Sequence, residues 1–315
     1  MARVFPEGRL VYGMQLPIQS QSTIYAEPWE ATADAADLAA VAKAADRAGF
    51  GYVATCDHVA IPRHMAGPMS TIWYDPIATL SFLAGITENV RLLSHVAILG
   101  LRHPLLSAKQ YATVDHLSGG RLILGVGAGH VKEEFEVLGV DFARRGAVLD
   151  ETLDALRAAL GPEEYPEFEG ELFSFKDLGQ LPRPVQSRIP VWVGGSSPAA
   201  VRRAAVRGDG WLPQGDPLDK LPAQIARIKE LRAEAGITGP VEFGAITAPL
   251  YVGEPGWDTG RRTLTGKAEA LAESLRAYKA IGIDQIQVRF RNRDRAELID
   301  QITAFGSEVG PLLND

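Results

Sequence analysis

The chain has 315 residues, 46% hydrophobic and 23% charged, the make-up of a packed globular protein, which excludes a disordered or fibrous one. A formal charge of −7 gives no general attraction to phosphate backbones, so nucleic-acid binding is not expected. A single cysteine, Cys56, excludes an intramolecular disulfide, and no Cys/His spacing suits a structural zinc, as fits a reducing compartment.

Residues 1–6 carry no basic stretch leading into an apolar one, and no window nears the ~18 apolar residues of a membrane span, so a soluble cytoplasmic protein is expected. From there β-rich runs alternate with runs of helical period. Strands are predicted at 11–16, 52–56, 91–99 and 122–126, and helices at 31–48, 76–86, 105–117, 132–137 and 149–160. A Pro-, Gly- and Glu-rich stretch at 161–188 interrupts the pattern. Strands at 191–193, 210–213 and 241–247 then alternate with helices at 198–206 and 218–235. A second excursion at 249–265 precedes a helix at 267–281, a strand at 285–290 and a final helix at 295–309. Eight strands, each followed by helix, predict one α/β domain over 1–315, a closed (β/α)8 TIM barrel with two enlarged loops. A doubly wound open sheet is the alternative, but residues 13–20 contain Pro17 and no G-x-G-x-x-G.

In such a barrel, active residues sit at the C-terminal strand ends. Strand two ends in Cys56, Asp57 and His58. The carboxylate and imidazole are either a proton-handling pair or a cap and a rim-packing ring, while Cys56 reads as a buried strand residue. His58, His95 and His130 could share the mouth as metal ligands, but no H-x-H or H-x-x-E-H occurs and no metal site is expected. Gly127 and Gly129 after strand four allow a close approach of backbone to a flat ligand, a weak signal alone. Gly194, Gly195 and Ser196, then Ser197 as N-cap and Pro198 at the first helical position, form a helix start at which a phosphate is expected, although a merely well-capped helix has the same sequence.

Taken in order, these features resemble the bacterial luciferase-like monooxygenase superfamily, in particular its branch using the deazaflavin coenzyme F420. The matching residues are Gly49-Phe50, Asp57-His58, Asp75-Pro76 and Arg102-His103-Pro104, then 117–122 leading into Gly127 and Gly129, Glu133, Glu134-Phe135 and Arg145. Later matches are 184–186, 190–195, 209–211 and 264–266, so the likeness runs along nearly the whole chain. The resemblance implies a tricyclic ring across the mouth and a cis peptide between His95 and Val96 behind it. It implies a cofactor phosphate at Gly194, Gly195 and Ser196, with Gly127, Gly129 and Glu133 bordering the ring. Asp57 and His58 would be the catalytic pair, the carboxylate tuning the imidazole that moves the proton accompanying hydride transfer.

A basic cluster, Arg289, Arg291, Arg293 and Arg295, and the pair Arg261 and Arg262 are candidates for the coenzyme's anionic tail. No Trp follows His58 at 59–62, so the sugar-phosphate substrate of one branch is not carried over; the pocket is expected to include Gln15, His64, Trp73 and His130. The resemblance therefore implies an oxidoreductase moving hydride between F420 and a small organic substrate, in a homodimer. The alternatives are an FMN-dependent two-component monooxygenase, a metal hydrolase and a non-catalytic binding barrel.

Overall fold

A computed structural model describes residues 3–315. Eight parallel strands close into a barrel: β1 (Val11–Gln15), β2 (Tyr52–Thr55), β3 (Arg91–Ser94), β4 (Leu122–Val126), β5 (Val191–Gly194), β6 (Gly210–Leu212), β7 (Glu242–Ile246) and β8 (Gln285–Val288). Each strand pairs with its sequence neighbours, and β1 closes on β8 with Val11 opposite Gln285. That closure excludes the open doubly wound sheet. The layer outside the strands is built from α1 (Ala35–Arg47), α2 (Pro76–Ala84), α3 (Pro104–Leu117), α4 (Lys132–Val137), α5 (Arg145–Ala159), α6 (Pro198–Arg207), α7 (Leu221–Glu234), α8 (Ala268–Ala280) and α9 (Arg295–Ala304).

Local chemistry sets the element ends. Asp34 caps α1 by accepting from the N–H groups of Ala36 and Asp37, and Asp37 returns the bond to the Asp34 N–H. Leu38, Val41, Ala42 and Ala45 then form one buried stripe on the barrel. The helix predicted from 31 thus starts at Ala35, behind a 3-10 turn at Pro28–Thr32. The strand predicted over 91–99 stops at Ser94, and the segment beyond it turns across the mouth. Both excursions carry small sheets: Phe168–Glu169 pairs antiparallel with Ser174–Phe175, and Leu250–Val252 pairs parallel with Leu264–Gly266.

The lower half of the barrel is filled. Tyr52, Leu93, Ile123, Trp192 and Leu212 meet inside it, and Phe5 closes the floor. Tyr52 and Trp192 pack edge to face at 5.7 Å, while the Tyr52 hydroxyl donates to the Gln285 side-chain oxygen at 2.5 Å. Burying each large side chain stabilises by about 1.5–3 kcal/mol, so the filled floor is a stable base below the C-terminal strand ends. Among the described residues no helix is long and apolar enough to cross a membrane.

Candidate active site

Above the ends of β2 to β5 lies a cleft of about 790 Å³. A smaller chamber of about 340 Å³ adjoins it over β6, β7, β8 and β1, and Gln15, Ser20, Tyr25 and Gln214 line both.

The wall between β3 and β4 decides the cleft's shape. Ser94 ends β3 with its hydroxyl donating to the Gly125 carbonyl at 2.9 Å, and the His95–Val96 peptide that follows is cis. The chain rejoins the barrel at Ala97, whose N–H donates to Gly125 and whose carbonyl accepts from Gly127. Val96 is thereby pressed between two strand ends. A Cβ at Gly127 would lie 2.5 Å from one Val96 methyl, and one at Gly194 would lie 2.6 Å from the other. Val96 packing thus requires glycine at both positions, each of which also lines the cleft, and Val96 presents an apolar surface to it. Beside it His95 is buried, with Nε2 3.4 Å from the Leu212 carbonyl and Nδ1 unpartnered. A carbonyl only accepts, so Nε2 carries the hydrogen. Burial pushes this imidazole down to about 4, against the hydrogen bonds of Leu212 and Gln287, and leaves it neutral at pH 7.

Asp57 and His58 do not act on each other. Asp57 is buried and takes two bonds from the Arg102 guanidinium, at 2.6 and 2.9 Å, and a third from the Ile98 N–H at 2.8 Å. Its role is to tie the strand-two end to the segment after Val96, which corrects its assignment as the carboxylate tuning the imidazole. His58 turns the other way and binds Glu134 through Nδ1 at 2.9 Å. Glu134 also accepts from the N–H groups of Val59 and Ala60. Burial alone would raise this carboxyl, but the bonds from His58, Val59 and Ala60 outweigh it and hold the group below its ordinary value. Because a carboxylate only accepts, Nδ1 of His58 donates, and Nε2 has no hydrogen-bond partner among the described residues, on a side chain that lines the cleft. Trp73 packs edge-on at 4.4 Å from the ring and His130 at 5.4 Å. Burial, and then the charge of His58, lowers the pKa of His130.

At the fourth side, Gly195 adopts φ +88°, a conformation open to glycine, and its carbonyl accepts from the Trp211 indole N–H at 2.9 Å. Ser197 caps α6 by accepting from the Ala200 N–H at 3.2 Å, and Pro198 opens the helix. Gly194, Gly195, Ser196 and Ser197 therefore bring the positive end of a ten-residue helix to the cleft. The Ser196 hydroxyl donates to Asp216, so an anion here would rest on backbone N–H groups instead of that side chain. Arg145 supplies the nearby cation. Its guanidinium stacks on Phe142 at 4.1 Å and bonds the carbonyls of Gly129 and Phe142, with no carboxylate partner among the described residues.

Several expected site residues lie elsewhere. Glu133 is half-exposed, 3.5 Å from an exposed His64, and neither lines the cleft; Gln15, Trp73 and His130 do. Arg291 pairs with Glu27, Arg293 with Glu297 and Arg295 with Asp37, so three of the four basic residues are committed to intramolecular ion pairs. Arg261 and Arg262 are exposed and line neither chamber. Among the described residues no three His, Cys, Asp or Glu side chains are grouped to hold a metal ion.

The family model for luciferase-like monooxygenases matches residues 11–257, well over half the chain. The chain belongs to the luciferase-like monooxygenase family. An uncharacterized protein of Mycobacterium tuberculosis is 36% identical over 233 residues, covering 69% of this chain and 79% of that protein. An FMNH2-dependent dimethylsulfone monooxygenase of Pseudomonas putida is 25% identical over 329 residues, covering 87% of each. The fold also matches an F420-dependent secondary alcohol dehydrogenase bound to an F420-acetone adduct, with a TM-score of 0.78, 17% identity, and 98% and 100% of the two chains covered.

Sequence reasoning did not give Glu134 or Arg145 a role in this luciferase-like barrel. For Glu134 a signal existed: Val131, Glu134 and Phe135 are all buried and stand at i, i+3 and i+4, whereas Glu133 falls on the opposite, solvated face of α4. Arg145 carried no comparable signal, since its place depends on how α5 begins.

Proposed function

We propose that this luciferase-like enzyme moves a hydride between coenzyme F420, held in the large cleft, and a small organic substrate, with His58 as the proton-handling residue. The observation that carries the reading is the imidazole fixed by Glu134 with Nε2 free, facing a cleft backed by Val96. The residues present fit such a coenzyme. A volume of about 790 Å³ suits a ring-bearing ligand. The α6 N-terminus and Arg145 suit a phosphate, and the apolar face of Val96 with a neutral His95 suits an uncharged planar ring.

The deazaflavin would supply or accept two electrons as hydride. The chain's own contribution is positional and protonic: Val96 limits how deep a ring can sink, and Glu134 fixes the His58 tautomer. Nε2 of His58 takes the hydroxyl proton as an alcohol is oxidised, or returns it to the oxygen as a carbonyl is reduced. A second reading, reduced FMN as cofactor in an oxygenation, is supported by the likeness to the dimethylsulfone monooxygenase.

Equilibrium titration of the purified apoprotein with each cofactor tests the choice. F420 is expected to bind at least ~10-fold more tightly than FMN, a difference of about 1.4 kcal/mol. Tighter binding of FMN would overturn it in favour of the second reading.

A further inference from the structure

The smaller chamber holds a cation that no carboxylate among the described residues contacts. Arg289 follows β8, its guanidinium lies 4.8 Å from the centre of the Tyr25 ring, and its Nη1 is buried without a hydrogen-bond partner. The carboxylates that could serve it are already used. Glu27 pairs with Arg291 at 2.9 Å, and Glu30 accepts from the N–H groups of Ile18 and Glu27, each at 2.8 Å. Burial, reinforced by the like charge of Arg291, pulls the Arg289 pKa below its ordinary value, and the more distant charges of Glu27 and Glu30 offset this only in part. The remaining wall is mostly apolar, with Leu16, Ile246, Val288, Phe290 and Leu298 among its residues.

We infer that this chamber binds the carboxylate of an apolar monocarboxylic acid, with Arg289 as its anchor. A carboxylate is favoured over a phosphate because Arg289 is the only Lys, Arg or His among the lining residues while Glu30 and Asp216 both form part of the wall, so a second negative charge on the ligand would go unmatched. The planar guanidinium, placed over the Tyr25 ring, matches a planar carboxylate. Gln15, Ser20, Tyr25 and Gln214 line both chambers, so a ligand anchored at Arg289 extends towards the cleft where His58 stands. This names a substrate class for the hydride transfer proposed above and rests on that reading only for what happens after binding.

Calorimetric titration of the cofactor-free protein with hexanoate and, separately, hexanamide tests the anchor without any turnover. Hexanoate is expected to bind at least ~10-fold more tightly than the isosteric amide, and Arg289→Ala to remove that preference while Arg289→Lys keeps part of it. Equal affinity for acid and amide in the wild-type protein overturns the inference whether or not the variants fold. So does an Arg289→Ala variant that retains the preference, or one that loses F420 affinity while binding hexanoate normally, since Arg289 would then serve the cofactor's tail. Loss of the acid preference in Arg289→Ala together with a preference for FMN would sustain the anchor and reject the F420 reading alone.

Discussion

Replacing His58 with Ala is expected to slow hydride transfer by about 10²- to 10⁴-fold, the usual contribution of a positioned proton-transfer group. Cofactor affinity should stay within about threefold of wild type, because His58 handles a proton and holds no cofactor charge. Single-turnover measurements with F420 and an alcohol separate the two effects. Glu134→Gln should fall between: its oxygen can still accept from Val59 and Ala60, but the amide no longer enforces one tautomer on His58. A loss below about threefold in His58→Ala would remove the imidazole from the reaction.

Arg102→Ala should produce the largest loss of stability, about 3–5 kcal/mol, as expected when one partner of a buried ion pair is removed and the other stays behind. The Asp57 side chain is 1% exposed and the Arg102 side chain 13%. Without Arg102 the carboxylate would keep the Ile98 N–H as its remaining short bond. Burial opposes the charged guanidinium, yet the bonds and charge of Asp57 outweigh it and raise the pKa of Arg102 above its ordinary value, so Arg102 stays charged across the working pH range. Urea unfolding should show a lower midpoint with an unchanged slope. A loss under about 1 kcal/mol would mean that water reaches Asp57 and that the segment after Val96 is held by other contacts.

The barrel was legible because its information is local. Strand runs buried on both faces alternate with amphipathic helices, and caps such as Ser197-Pro198 announce where a helix begins. Strand three overran by five residues, 91–99 against Arg91–Ser94, because Val96, Ala97, Ile98 and Leu99 continue the apolar run while the backbone turns. Hydropathy does not register that turn.

The site was legible in its places and misread in its pairings. Asp57 and His58 are neighbours in sequence, and consecutive side chains at a strand end point in opposite directions, so one reaches Arg102 and the other Glu134. The partner of His58 is 76 positions away and emerges only when β2 and α4 meet at one mouth. The glycines after β4 and β5 follow the same rule. Gly127 and Gly194 make room for Val96, from a strand whose end the sequence does not locate, and Gly129 makes room for Phe135 and Ile98.

The most direct measurement is a crystal structure of the protein soaked with F420. The phosphate should lie on the backbone N–H groups at Gly195 to Ser197 within reach of Arg145, and the ring against Val96. His58 Nε2 should stand about 3–3.5 Å from the position of the reacting substrate oxygen, a distance at which a proton can pass. A coenzyme seated outside this cleft, or a ring whose reacting carbon faces away from His58, would contradict the account.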